Sequence, residues 1–132
     1  MLARDIMTKS PVCVTPRTRL KDAIEVMYAN DIRHVPVLEN ERLIGILSER
    51  DLRAVIDVAF DPDVNDGRLY ERRVADFMSS DPITVEEESD VDEVIEALLE
   101  HRVGAVPVID AEGALSGIVS YVDVLRAAIG RL

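Results

Sequence analysis

Apolar positions along the chain follow two rhythms that alternate twice. Between about Arg19 and Asn30 they fall three and four residues apart, at Leu20, Ala23, Ile24 and Met27, which predicts a helix with one core-facing side. Thr18 or Thr15 stands where a cap for that helix is needed. Two short β-branched runs follow, His34-Val35-Pro36-Val37-Leu38 and Leu43-Ile44-Gly45-Ile46-Leu47. The polar Glu39-Asn40-Glu41-Arg42 between them predicts a hairpin. From Ser48 a second helical pattern runs through Leu52, Val55 and Ile56 and fades near Val58. Ahead of these elements, Ala3 to Thr8 reads as a short helical turn, which Lys9-Ser10-Pro11 breaks before the strand-like Val12-Cys13-Val14.

The same order then recurs. Ala75-Asp76-Phe77-Met78-Ser79 answers Arg4 to Thr8 at an offset of 71, Asp81-Pro82-Ile83-Thr84-Val85 answers Ser10 to Val14, and Val106-Pro107-Val108-Ile109 answers Val35 to Leu38. One extra residue in the turn at Ala111-Glu112-Gly113 makes the offset 72 from Gly117 to Asp123. A unit of about 60 residues present twice means two copies of one supersecondary motif packed on each other, because neither three-stranded half can bury its sheet face alone. The predicted class is α/β (α+β), with two β-α-β-β-α repeats. Residues 1–58 form the first repeat and 74–132 the second, with the turn-rich, polar stretch 59–73 as linker.

Each repeat places one phrase where a strand runs into a helix: Gly45-Ile46-Leu47-Ser48-Glu49-Arg50-Asp51 and Gly117-Ile118-Val119-Ser120-Tyr121-Val122-Asp123. Ser-x-x-Asp at such a point is a helix cap, with the serine oxygen accepting from the third amide and the acid suiting the positive end of the dipole. The same geometry also suits a ribose phosphate. Free amides and a hydroxyl at a helix start attract phosphate, and a carboxylate one turn in accepts from two vicinal hydroxyls. The glycine lets another backbone or a ligand approach closely and fits both readings.

Composition narrows the classes. A chain of 132 residues, nearly half of them apolar, buries one core and has no room for a catalytic domain plus a regulator. The start lacks an apolar signal core and no run is long enough to span a bilayer, so a soluble cytoplasmic protein is expected, with no membrane role. Cys13 is the single cysteine, and with two distant histidines it gives no metal-ligand spacing, so no metal is expected. Residues 1–58 balance nine basic against nine acidic residues, whereas 74–132 carry three against thirteen. An acidic chain without a basic stripe is a poor nucleic-acid binder. The acid run Glu86-Glu87-Glu88-Ser89-Asp90-Val91-Asp92-Glu93 lacks the glycine-centred loop of a calcium site and reads as a solvated helix start.

Two copies of Met-Thr/Ser, then Pro-Val/Ile-x-Val, an amphipathic helix, Val-Pro-Val and Gly-h-h-Ser-x-x-Asp (h apolar) resemble a tandem pair of cystathionine-β-synthase (CBS) domains, the arrangement called a Bateman module. The resemblance covers nearly the whole chain apart from the linker. It implies repeats packed through their sheets about a pseudo-twofold axis, two clefts that commonly hold adenosine-containing ligands, and modules that pair into a flat four-repeat disc. Carried over by residue, one cleft joins Ser48, Arg50 and Asp51 with Ser79, Ile83, Thr84, Ala105 and Val106. The other joins Ser120 and Asp123 with Thr8, Val12, Cys13, Arg33, His34 and Val35. The aspartates accept from ribose hydroxyls, the serines and helix amides hold phosphate, the strand edges at Val12 and Ile83 hydrogen-bond adenine, and Val35 and Val106 pack on its face. Arg33 and His34 have Gly104 and Ala105 as counterparts, so the clefts are expected to be unequal.

The function expected on this resemblance is a small-molecule sensor that binds AMP, ADP or ATP as a regulatory ligand, forms a homodimer and passes its state to a regulated protein. S-adenosylmethionine or a dinucleotide is the alternative ligand. The alternative class is an interaction scaffold with empty clefts. Enzyme activity is not expected, because nothing sets a nucleophile beside a base.

Overall fold

β-branched runs and helical stripes resolve into seven strands and five helices in the computed structural model, which describes residues 1–53 and 68–132. The strands are β1 (Thr8–Lys9), β2 (His34–Glu39), β3 (Arg42–Ser48), β4 (Ser79–Ser80), β5 (Val85–Glu86), β6 (Ala105–Ile109) and β7 (Leu115–Ser120). The helices are α1 (Ala3–Ile6), α2 (Leu20–Ala29), α3 (helical over residues 49–53), α4 (Val91–His101) and α5 (Tyr121–Ala128). Two 3-10 turns, Leu69–Glu71 and Val74–Asp76, precede β4. Val55, Ile56 and the expected linker residues 59–67 lie outside the described residues.

The chain divides into two compact units. Unit 1 comprises residues 1–11, 41–43 and 82–132, and unit 2 comprises residues 12–40 and 44–81. The sheet of unit 1 runs β1-β7-β6-β5, with β7 antiparallel to both neighbours and β5 parallel to β6. That of unit 2 runs β2-β3-β4, and Val14 joins β2 through a parallel bridge to Val37. The first short strand of each repeat therefore pairs with the last strand of the other. Thr8 lies opposite Ile118, and Ser79 opposite Ile46.

Each unit has its own core. Leu20, Ala23 and Met27 of α2 pack with Val35, Val37 and Leu47 in unit 2, and Val94 and Leu98 of α4 pack with Val106, Val108 and Val119 in unit 1. Leu20 and Leu47 expose no surface, and full burial of one such side chain contributes about 1.5–3 kcal/mol. The β2–β3 turn has positive φ at both Asn40 (50°) and Glu41 (65°), the pattern that matches the right-handed twist of a two-residue hairpin. In the longer β6–β7 turn the Asp110 carboxylate accepts from the N–H groups of Glu112 and Ala114, both at 2.9 Å, and Gly113 supplies φ 82°.

Two local expectations need correction: of the expected strand Val12-Cys13-Val14 only Val14 makes a β-bridge, and the start of α2 is capped differently. Neither Thr15 nor Thr18 caps α2; its N-cap is Arg19, without a side-chain hydrogen bond. The threonines close a turn on each other, with Thr15 N–H donating to Thr18 Oγ1 at 3.1 Å. The helix start is held instead by backbone from the end of the expected linker, where Leu20 N–H donates to the Arg72 carbonyl at 2.7 Å.

The glycines of the repeated phrase also find their reason. A Cβ on Gly45 would stand 2.6 Å from Met78 Sδ and 2.9 Å from the Ser79 carbonyl oxygen, and one on Gly117 would meet Met7 and stand 2.9 Å from the Thr8 oxygen. Each glycine makes room for the methionine that precedes the short crossing strand.

Candidate functional site

Strand β7 ends at Ser120, whose extended backbone (φ −99°, ψ 164°) turns the chain into α5. The turn is closed from both sides. Asp123 N–H donates to Ser120 Oγ at 3.3 Å, while Asp123 Oδ2 accepts from Ser120 N–H at 2.8 Å and from its hydroxyl at 3.1 Å. At the end of β3 the same three bonds recur between Ser48 and Asp51, at 3.3, 2.8 and 3.0 Å. Both phrases are thus complete capping boxes, and one oxygen of each carboxylate is spent on the cap. The other, Oδ1, lies 3.9 Å from Arg126 in the case of Asp123.

A further bond ties each helix start to the segment leading into the hairpin. Glu49 N–H donates to the Arg33 carbonyl at 2.8 Å, and Tyr121 N–H to the Gly104 carbonyl at 3.0 Å. This juxtaposition was not legible from spacing. The resemblance assigns Arg33 and His34 to the site of Asp123 and Ala105 to that of Asp51; within their own units, Arg33 bonds the Ser48–Asp51 helix start and Ala105 lies directly opposite Ser120 in the β6–β7 ladder. Glu49 is the residue sequence reading missed. Its carboxylate faces Arg33 at 3.5 Å and Arg53 at 3.7 Å, and an acid just inside a helix start was the available signal. Burial lowers the His34 pKa from 6.5, against the raising effect of Asp51, with Arg33 and Arg50 lowering it and Glu49 raising it. Burial thus favours the neutral imidazole.

The remaining candidates divide by exposure. Val12 and Ile83, equivalent positions of the two repeats, are each 41% exposed, and among the described residues neither N–H has a backbone acceptor. Val35 and Val106 expose no surface and belong to the two cores, so their side chains are committed to packing. Thr8 and Ser79 are exposed on the crossing strands, Arg50 is exposed, Thr84 is half-buried and Ala105 is buried. Cys13 is half-buried, and burial raises its thiol pKa. Two open grooves of about 480 and 460 Å³ lie in unit 1, and none of the candidate residues lines either. Among the described residues no group of three histidine, cysteine or carboxylate side chains is placed to hold a metal ion, and no helix is long and apolar enough to cross a membrane.

Comparison with known proteins agrees with the repeat. The profile of the CBS domain matches residues 3–58 and again 74–130. A CBS domain-containing protein of Dictyostelium discoideum is 36% identical over 98% of this chain and 92% of its own length. Inosine-5'-monophosphate dehydrogenase of Aquifex aeolicus is 34% identical over 91% of this chain, which spans only 23% of that enzyme. Among solved structures, Arabidopsis thaliana CBSX2 in complex with AMP superposes with a TM-score of 0.82 at 29% identity, covering 97% of this chain and 96% of that one.

Proposed function

The chain belongs to the CBS domain family, and from that premise we propose that it is a regulatory module which binds an adenine nucleotide at its Ser-x-x-Asp helix starts and passes the bound state to a partner. The observation that carries this reading is the duplication of one helix start in atomic detail, Ser48 with Asp51 and Ser120 with Asp123, each bonded alike. Capping alone needs no such identity, since α2 and α4 begin with different caps, Arg19 and Asp90. Ser48 and Ser120 present hydroxyls and helix amides to a phosphate, and the second carboxylate oxygen of each aspartate accepts from a ribose hydroxyl. The exposed Val12 and Ile83, with unspent backbone donors, suit the edge of a base. The AMP complex of CBSX2 supports this ligand class.

Arg33 and Arg50 are the cations for phosphate, and the ion pair of Arg33 with Glu49 makes Arg50 the readier of the two. The test is calorimetric titration with AMP, ADP, ATP and S-adenosylmethionine. Asp51→Asn and Asp123→Asn keep an oxygen for the cap and remove the charge. A charge-assisted hydrogen bond contributes about 1.5–3 kcal/mol, so each variant should weaken an occupied site about ten- to a hundredfold. No heat from any adenosine compound would leave the scaffold reading, in which the boxes only cap helices.

A further inference from the structure

The two Ser-x-x-Asp phrases make the same cap in opposite surroundings. Around Ser48 and Asp51, unit 2 gathers an acid and three arginines: Arg33, whose carbonyl accepts from Glu49 N–H at 2.8 Å, and Glu49, Arg50 and Arg53 on α3. At the equivalent positions around Ser120 and Asp123 the chain has Gly104, Tyr121, Val122 and Leu125, none of them carrying charge at neutral pH. The cation beside that second phrase, Arg126, lies 3.9 Å from Asp123 itself. Ser120 and Asp123 nevertheless keep all three capping bonds, so neither Glu49 nor the arginines are needed to start a helix here. Acid and arginines occur together at one phrase and are absent together from the other.

Within unit 2, Glu49 stands between two of the cations. Its Oε2 lies 3.5 Å from Arg33 Nε and its Oε1 3.7 Å from Arg53 Nη2, so one carboxylate engages both guanidinium groups with separate oxygens. Arg50 makes no ion pair among the described residues. All of these side chains reach solvent, where an ion pair holds little; what Glu49 contributes is a negative charge placed where a longer phosphate chain would meet Arg33 and Arg53. We infer that Glu49 sets the number of phosphate groups this site accepts, so that its ligand class is the nucleoside monophosphate. Arg50 and the Ser48 hydroxyl take one phosphate, while Glu49 cancels the two guanidinium forks that a second or third phosphate requires. Three arginines face two carboxylates, Glu49 and Asp51; without the Glu49 charge they face one. The inference rests on nucleotide binding at Ser48 and Asp51.

The test titrates the full chain with AMP, ADP and ATP in a calorimeter, without added divalent metal, in an Asp123→Asn background that weakens the other site. The readout is the ratio of ATP to AMP affinity, because a general effect on the fold moves both alike. The background chain should prefer AMP. Adding Glu49→Gln should raise ATP affinity at least about fivefold and AMP affinity less than about twofold, whereas Glu49→Asp, which keeps the charge, should keep the preference for AMP. Adding Arg33→Gln and Arg53→Gln to Glu49→Gln should remove the gain for ATP. A background chain that already prefers ATP, a ratio unmoved by Glu49→Gln, or a gain that persists without Arg33 and Arg53 would each overturn this inference and leave nucleotide binding standing. No heat from any of the three nucleotides with the wild-type chain would end nucleotide binding itself, and this inference with it.

Discussion

Asp123 has a side chain only 14% exposed, and its Oδ2 already serves the N–H and hydroxyl of Ser120, so its removal acts on the fold before it acts on any ligand. Asp123→Ala should lower stability without ligand by about 1 kcal/mol, the usual worth of a cap, seen as a reduced melting temperature, and Asp123→Asn should lose less. If the ligand-free melts of wild type and Asp123→Ala coincide, the box contributes nothing to the fold. His34 makes a separate prediction through its environment. Unfolded, the imidazole titrates near 6.5; in the fold, burial holds it lower despite Asp51 and Glu49. As pH falls the unfolded chain takes up this proton first, so the contribution is fully present above pH 6.5 and is lost through the window just below it. His34→Gln should flatten the decline in melting temperature between about pH 7 and 5. Parallel profiles for variant and wild type would clear His34 of that role. Any gain in preference for anionic ligands on acidification likewise begins below 6.5.

Among elements, the short crossing strands depend on one packed pair each, Met7 over Gly117 and Met78 over Gly45. Gly117→Ala drives a methyl into both a methionine and the Thr8 carbonyl, and overpacking of this kind costs about 1–3 kcal/mol. Met7→Ala in the same chain frees only the side-chain part, so the double variant should recover some, but not all, of the loss in a denaturation cycle. Full additivity would mean that the two residues do not meet. This pair marks the limit of what was legible. The repeat, both hairpins, the amphipathic stripes of α2 and α4 and the Ser-x-x-Asp caps followed from local periodicity and capping chemistry, which depend on neighbours in sequence. The partner of β1 did not, because Thr8-Lys9 carries no pattern that distinguishes a strand of its own repeat from β7. The start of α2 was misjudged for the same reason, since Arg72 supplies from 52 residues away what Thr18 was expected to supply locally. At the candidate site, the residue types were readable but their neighbours were not: the bond between Glu49 and Arg33 depends on how β2 and β3 lie side by side.

For the whole molecule, unspent apolar surface lies on α5 and just beyond it: Val122 is 42%, Leu125 62% and Ile129 79% exposed. We propose a homodimer that buries these residues, since Val124 packs on the core of unit 1 and Ala128 is half-buried. Leu125→Glu should convert the dimer to a monomer of about 14.7 kDa by light scattering; a monomeric wild type at tens of micromolar, with and without nucleotide, would refute it. The exchange of first strands between repeats has another consequence, which concerns the order of events in synthesis. Thr8 and Lys9 leave the ribosome roughly 110 residues before Ile118 and Gly117 exist to pair with them, and at about 5–20 residues per second that is a wait of about 5 to 20 s. During it the segment presents unpaired backbone, yet it is two residues long, carries a lysine and soon meets Pro11, so a nascent neighbour finds little to template on. Strand β7 is therefore the event that pairs β1, and a chain stalled before Ser116 leaves Thr8 and Lys9 without their partner strand.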